Sequence, residues 1–374
     1  MYQEEQLRSF GDIVMRLIRR ENLSRQEARE GWMHIIQNTQ PDLQQGAFMA
    51  ALVAKGETFE EVAGSWDAIY EFDTNKVDLS HIDPLVENCG TGMDTLKTFN
   101  ISTGASIIAA ANGVSMAKHG ARSITSKCGT VDVLEHLGVD VECDLNCVKH
   151  SIEQAGIGIF NGMSAKVHPS ALGRILSQIR FGSTLNISGS LAHPANPRYA
   201  LRGVFSPTIL NHTIETMREI GYRKAMVVYG WNDKKTKGID EISTFGITEV
   251  RELHENGAIE SYEITPEDFG IKRPSFDKIA STGTVIGDAQ ELLKTLLGRA
   301  SNAKRNIMCL NAAPIIYIAG KAKDLKQGYQ MAQETLARGL AVEKLQEWVL
   351  TQTRNRMKSE EQFHATLGEI QIPM

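Results

Sequence analysis

Residues 84–103, PLVENCGTGMDTLKTFNIST, decide how this chain is read. Leu85 and Val86 predict a short strand, the turn Gly90-Thr91-Gly92-Met93-Asp94 ends it, and a small-residue helix follows over 101–112. Glycines let backbone come close to a ligand, and a helix N-terminus offers N–H groups and partial positive charge to a phosphate. Thr98, Asn100, Ile101, Ser102 and Thr103 stand where that helix begins. Ser102 and Thr103 add hydroxyls suited to a phosphate or a metal ion. Taken alone, the same residues also describe an ordinary strand-to-helix turn with an N-cap.

Outward from this turn, strands alternate with helices. GVSMAKHG, GIGIFNG, RGVFSPT, RKAMVVYG and AIESYEIT read as strands. TVDVLEHLG and residues 148–155, 286–298, 302–320 and 323–352 read as helices. The alternation predicts an α/β fold, a mainly parallel sheet flanked by helices, over 79–353. Residues 1–78 predict a small all-helical lobe, with Ser24 and Glu27 in a capping-box pattern and Thr58 as a second cap. Helices from about 168–195 rejoin that lobe, 73–84 is a polar linker, and the charged stretch 354–374 predicts a loosely held tail.

Composition narrows the function. Of 374 residues 42% are hydrophobic, enough for a large core, while aromatics are only 6% and the net charge is −5. That balance argues against a nucleic-acid or membrane-surface partner. No apolar run reaches the roughly 18 residues of a membrane helix. The N-terminus reads as an amphipathic helix rather than a signal peptide. Five cysteines in a chain with a large core predict reduced thiols and a cytoplasmic setting. Cys143 and Cys147 form a C-x3-C pair with no second pair at zinc spacing.

A second motif, Lys118-His119-Gly120-Ala121-Arg122-Ser123-Ile124-Thr125-Ser126-Lys127-Cys128-Gly129-Thr130, gathers cations and hydroxyls after another strand. Such a loop suits a polyphosphate, though a solvated basic loop has the same composition. A third, Gly238-Ile239-Asp240-Glu241, follows the strand RKAMVVYG. Adjacent carboxylates there suit magnesium, which takes oxygen ligands and keeps several waters. A lone acidic pair is more often a surface cap. The three together point to a pyrophosphate ester bound with Mg2+.

The combination GTG-x-D-x3-TFNIST, KHG-x-R-x3-S-x2-GT-x-D-x-LE-x-LG and DE resembles the anthranilate phosphoribosyltransferase family, as do QQGAFMAALVAKGET and NAAPIIYIAGKA. The likeness runs from about residue 10 to 350. It implies a homodimeric enzyme that transfers phosphoribose from phosphoribosyl pyrophosphate (PRPP) to an aromatic amine acceptor. Met93, Asp94, Thr98, Asn100 to Thr103, Lys118 to Ser126 and Thr130 then occupy PRPP positions, beside the Gly90–Gly92 turn. Ser102, Asp240 and Glu241 occupy the magnesium positions. Gly90, His119, Ala121, Gln178 and Ser190 fall at acceptor positions.

Two departures keep the donor site: Met93 replaces a glycine, and Thr130 a serine. Three fall on the acceptor: Ala121 replaces the asparagine that touches anthranilate, Gln178 the arginine that faces its carboxylate, and Gly189-Ser190-Leu191 the family's GPL. Arg174 or Arg180 is left to supply the cation. The resemblance thus implies anthranilate transfer in tryptophan synthesis, with two other readings: the same chemistry on an acceptor lacking the ortho-carboxylate, or a non-catalytic binding paralogue. Ser102→Ala and Asp240→Ala are expected to cut magnesium-dependent turnover severely in folded protein; unchanged turnover in both would remove the metal assignment.

Overall fold

A computed structural model describes residues 4–92, 95–122, 128–179 and 181–371 of the chain. Four helices come first: α1 (Glu4–Ile18), α2 (Arg25–Ile36), α3 (Asp42–Lys55) and α4 (Phe59–Phe72). Then follow β1 (Leu85–Gly90), α5 (Ile101–Ala111), β2 (Ser115–Gly120), α6 (Thr130–His136), α7 (Leu145–Ala155) and β3 (Ile157–Asn161). Two short helices, α8 (Leu172–Gln178) and α9 (Leu185–Leu191), precede β4 (Tyr199–Gly203) and α10 (Leu210–Glu219). Next are β5 (Lys224–Trp231), β6 (Gly238–Ile239), β7 (Thr248–Leu253) and β8 (Ile259–Ile264). The chain closes with α11 (Val285–Leu296), α12 (Asn302–Ile318), α13 (Leu325–Ala337), α14 (Leu340–Thr351) and α15 (Arg356–Gln371).

These elements form two compact units. The helical unit takes residues up to Lys76 with Gly162–Asn196 and Asn211–Gly221; the α/β unit takes Val77–Asn161, Pro197–Leu210 and everything from Tyr222. The returning segment thus starts earlier than 168, and part of α10 joins it, which no pattern in the sequence announced.

In the helical unit, Ser24 and Thr58 each cap a helix, and Glu27 and Glu61 reach back to complete two capping boxes. Gly64 lets α4 cross α2 closely, since a Cβ there would lie 2.3 Å from the Arg25 carbonyl oxygen. Asp73 holds the returning segment: its carboxylate accepts from the N–H groups of Ser170, Ala171 and Leu172 at 2.7–2.9 Å, where α8 begins. Trp66 donates from Nε1 to the Leu191 carbonyl at 2.9 Å, fixing α9.

The sheet runs β3-β2-β1-β4-β5-β7-β8, with β6 paired to β5. The pairs from β3 through β5 are parallel, and β7 and β8 add antiparallel. β1 to β4 are nearly all buried, as strands covered on both faces must be. Small residues bring α5 against α12: a Cβ on Gly104 would lie 2.3 Å from Met308 Sδ. At the β3 edge, the Gln352 amide accepts from Ile159 N–H at 2.9 Å and donates to Ile159 C=O at 3.0 Å, acting as a one-residue strand that blunts the edge.

Several expectations need correction. The expected loose tail is a helix over most of its length: 356–371 is α15, with Phe363 1% exposed. Its charges face outward, and a single aromatic gave too little periodicity to signal a docked helix. Gly138 admits it, since a Cβ there would lie 2.6 Å from the Ser359 carbonyl. The strand expected at RGVFSPT starts earlier and ends at Gly203, because the buried charge of Arg202 breaks its apolar pattern and Pro207 opens the turn to α10. The helix expected over 323–352 is two, broken at Gly339 with φ +74°. β7, TEVREL, is too polar to signal a strand, yet its burial alternates. The helices expected from about 168–195 are the two short ones, α8 and α9. Among the described residues no helix is long and apolar enough to cross a membrane.

Phe363→Ala is expected to destabilise the protein by about 3–5 kcal/mol in chemical denaturation; an unshifted midpoint would restore the loose-tail reading.

Candidate active site

The acidic loop lies across the C-terminal ends of β1, β4 and β5, and three glycines make the room. A Cβ on Gly203 would lie 1.5 Å from the Asp240 carbonyl oxygen, and one on Gly230 would lie 2.3 Å from that of Glu241. A Cβ on Gly90 would lie 2.3 Å from Asp240 Oδ2. Any side chain at these positions would displace the loop.

Seated there, the two carboxylates join the first motif to the third. Gly92 N–H donates to Asp240 Oδ2 at 2.8 Å. Ser102 N–H donates to Glu241 Oε1 at 3.1 Å, and the Thr98 hydroxyl to Glu241 Oε2 at 3.2 Å. Asn100, the N-cap of α5, makes no side-chain cap bond, so Glu241 caps the helix from 139 residues away. The N–H group expected to face a phosphate therefore already meets a carboxylate. Burial raises the pKa of Asp240, opposed by the Gly92 N–H.

The donors around this point are all oxygen. Among the described residues no group of three or more His, Cys, Asp or Glu gathers to hold a metal. Two carboxylates with the Ser102 hydroxyl would leave the rest of an ion's shell to water and phosphate oxygens, which suits magnesium. Thr91 Oγ1 and Thr103 Oγ1 are buried without a hydrogen-bond partner among the described residues, leaving two hydroxyls for a ligand.

Lys118 is 2% exposed and donates to the Asn88 carbonyl at 2.9 Å and to Ser106 Oγ at 3.1 Å. Asn88 in turn donates to the Ser102 carbonyl at 2.9 Å, so this network fixes the first turn of α5. Burial lowers the Lys118 pKa to about 8. Because the folded value lies below the unfolded one, charging Lys118 costs stability below about pH 8, and the cost fades as pH rises toward 10.5. Arg122 is held by Asp132, Glu135 and Glu142 at 2.8–3.0 Å, which raises its pKa, hydrogen bonding to Glu135 first. Lys118 and Arg122 thus each have partners within the protein.

His119 is buried at the end of β2, Gly120 closes that strand, and Thr130 opens α6. Met93, Asp94, Ser123, Ile124, Thr125 and Ser126 lie outside the described residues, as does Arg180. Of the acceptor positions, Gly90, His119 and Ala121 belong to the α/β unit, and Gln178 and Ser190 to the helical unit. Ser190 Oγ donates to its own helix at Asn186 and Ile187. Gln178 lines a cavity of about 340 Å³ with Gln45, Met49 and Arg174. Arg174 donates to the Ile35 carbonyl at 2.6 Å and to Gln45 Oε1 at 3.2 Å, which commits its guanidinium to α2 and α3. Gly203, Gly230, Asn88 and Ser106 were missed in sequence; glycines at strand ends were the only signal available.

Two family models match the chain in order: a glycosyl transferase family helical bundle domain over residues 11–72, and a glycosyl transferase family a/b domain over 82–342. The anthranilate phosphoribosyltransferase of Desulfosudis oleivorans is 36% identical over 342 residues, covering 91% of this chain and 98% of the relative. That of Methanothermobacter thermautotrophicus is 34% identical over 353 residues, covering 92% and 99%. The crystal structure of the Thermus thermophilus enzyme superimposes with a TM-score of 0.81 at 30% identity, over 91% of this chain and 99% of that one. The Saccharomyces cerevisiae enzyme in complex with PRPP and Mg shares the fold, with a TM-score of 0.78 at 21% identity, over 93% and 98%. With both domains matched in order and identity sustained along nearly the full length, this chain belongs to the anthranilate phosphoribosyltransferase family.

Proposed function

We propose that this chain transfers the phosphoribosyl group of PRPP to an aromatic amine, anthranilate by default, releasing pyrophosphate in a magnesium-dependent reaction of tryptophan biosynthesis. One observation carries the reading: Asp240 and Glu241 are seated on the Gly90–Gly92 turn and on the first turn of α5, at the C-terminal edge of the sheet. The names of the relatives at 34–36% identity support it.

In this reading the amine nitrogen attacks ribose C1, the bond from C1 to the diphosphate oxygen breaks with inversion, and the amine then loses a proton to solvent. Bound magnesium, held by Ser102, Asp240 and Glu241, would neutralise charge on the leaving diphosphate. The Thr91 and Thr103 hydroxyls would donate to phosphate oxygens. Lys118, through Asn88 and Ser106, would keep that turn rigid. Met93, Asp94, Thr98, Asn100, Ile101, His119, Gly120, Arg122, residues 123–126 and Thr130 complete the proposed PRPP set. Cytoplasmic location and a homodimer are part of the same reading.

A second reading, transfer to an amine without the ortho-carboxylate, is favoured by the engagement of Arg174 with Ile35 and Gln45. A carboxylate whose guanidinium partner is occupied elsewhere loses its strongest contact.

Pyrophosphate release from PRPP with a panel of aromatic amines tests both. Release with anthranilate supports the first reading, release only with other amines supports the second, and none with any amine overturns both. Gly203→Ala is expected to cut the rate by roughly two orders of magnitude through displacement of Asp240; a rate close to wild type would show that the loop seat does not matter.

A further inference from the structure

We infer that Asn311, in the middle of α12, is a positioning residue for the two carboxylates of the acidic loop. This deepens the functional reading above and rests on it. Ile242, the residue after Glu241, donates its N–H to Asn311 Oδ1 at 2.8 Å and accepts from Asn311 Nδ2 at its carbonyl at 2.9 Å. One carboxamide thus pairs both polar groups of one loop residue, as a neighbouring strand would. Asn311 Nδ2 also donates to the Ile307 carbonyl at 2.9 Å. That third bond sets which end of the amide is oxygen, because only nitrogen can donate to two carbonyls. Asn311 is 2% exposed and Ile242 1%, so water does not compete for these groups.

The placement matters because α12 touches both parts of the site. Its Met308 packs where Gly104 of α5 lacks a side chain, which locates the helix whose first turn meets Glu241. Three residues on, Asn311 holds the peptide next to Glu241. The separation between the Glu241 carboxylate and the Ser102 N–H is therefore set through α12. On the far side, Ser243 N–H donates to Thr248 Oγ1 at 2.9 Å, and the Ser243 hydroxyl to the Trp231 carbonyl at 2.9 Å. The loop is also pinned after Ile242, and before Asp240 by the pairing of Ile239 with Gly230, while Asn311 holds the peptide that follows Glu241. Its carboxamide touches no substrate; it acts through the loop.

The test uses the full chain and Mn2+ as the probe, with free Mn2+ followed by electron paramagnetic resonance in the presence of PRPP. Asn311→Leu removes all three bonds at similar size. Asn311→Asp keeps the acceptor for Ile242 N–H and loses the donor, and carries the test should Asn311→Leu fail to fold. Leu310→Ala, a buried neighbour on the same helix, controls for loss of stability. Half-saturation by Mn2+ is expected to rise by roughly 10–100-fold in the Asn311 variants and to stay at the wild-type value in Leu310→Ala. Asn311 variants that bind Mn2+ like wild type while melting like Leu310→Ala would overturn this inference alone. A wild-type chain that binds no Mn2+ with PRPP would overturn the metal reading and this inference together.

Discussion

Space at three strand ends is the constraint on which the site depends. The Asp240 peptide occupies the volume a side chain on Gly203 would fill, and the Glu241 peptide does the same at Gly230. A parallel sheet normally lifts its C-terminal loops clear of the strands. Here the loop lies flat, and the two carboxylates reach the turn after β1 and the start of α5 without long side-chain excursions. Glycine is a poor strand residue, so its use at Gly90, Gly203 and Gly230 trades local sheet stability for this contact.

Beneath the loop the sheet carries charge that it must keep paired. Arg202 and Glu87, 1% and 0% exposed, lie 3.1 Å apart on adjacent strands β4 and β1, and the Tyr222 hydroxyl donates to Glu87 at 3.0 Å. A buried pair of this kind is weak support for stability, but removing one partner would leave an uncompensated charge in the core. Lys118 is placed by the same logic, its ammonium satisfied by a carbonyl and a hydroxyl rather than by a carboxylate. These groups make the floor of the site rigid: Asn88, Ser106 and Ser102 are joined in one network, and α5 cannot shift without breaking it.

The helical unit follows a different rule. Gln178, Ser190 and Arg174 belong to the helical unit, whose interior is held by backbone capture: Asp73 on the start of α8, Trp66 on α9 and Arg174 on the end of α2. An arginine used in this way stabilises the unit.

Much was legible in the sequence because the relevant physics is local. Ser24 with Glu27, and Thr58, announce helix starts through bonds that span three residues. The Gly90–Gly92 turn announces a strand end, and alternating strands and helices announce a mainly parallel sheet. What only the tertiary structure decided involves partners far apart in the chain. Asp240 and Glu241 close on Gly92 and Ser102 across more than a hundred residues. Asn311 looked like one residue of a resembling motif until it proved to hold Ile242. The protein partners of Arg122 and Lys118 cannot be inferred from spacing, and α15 read as loose because a single buried aromatic leaves no period. Residue types and short spacings determine which elements form. The positions of buried charges and the volumes left by missing side chains determine what those elements can do, and these exist only once the chain has packed.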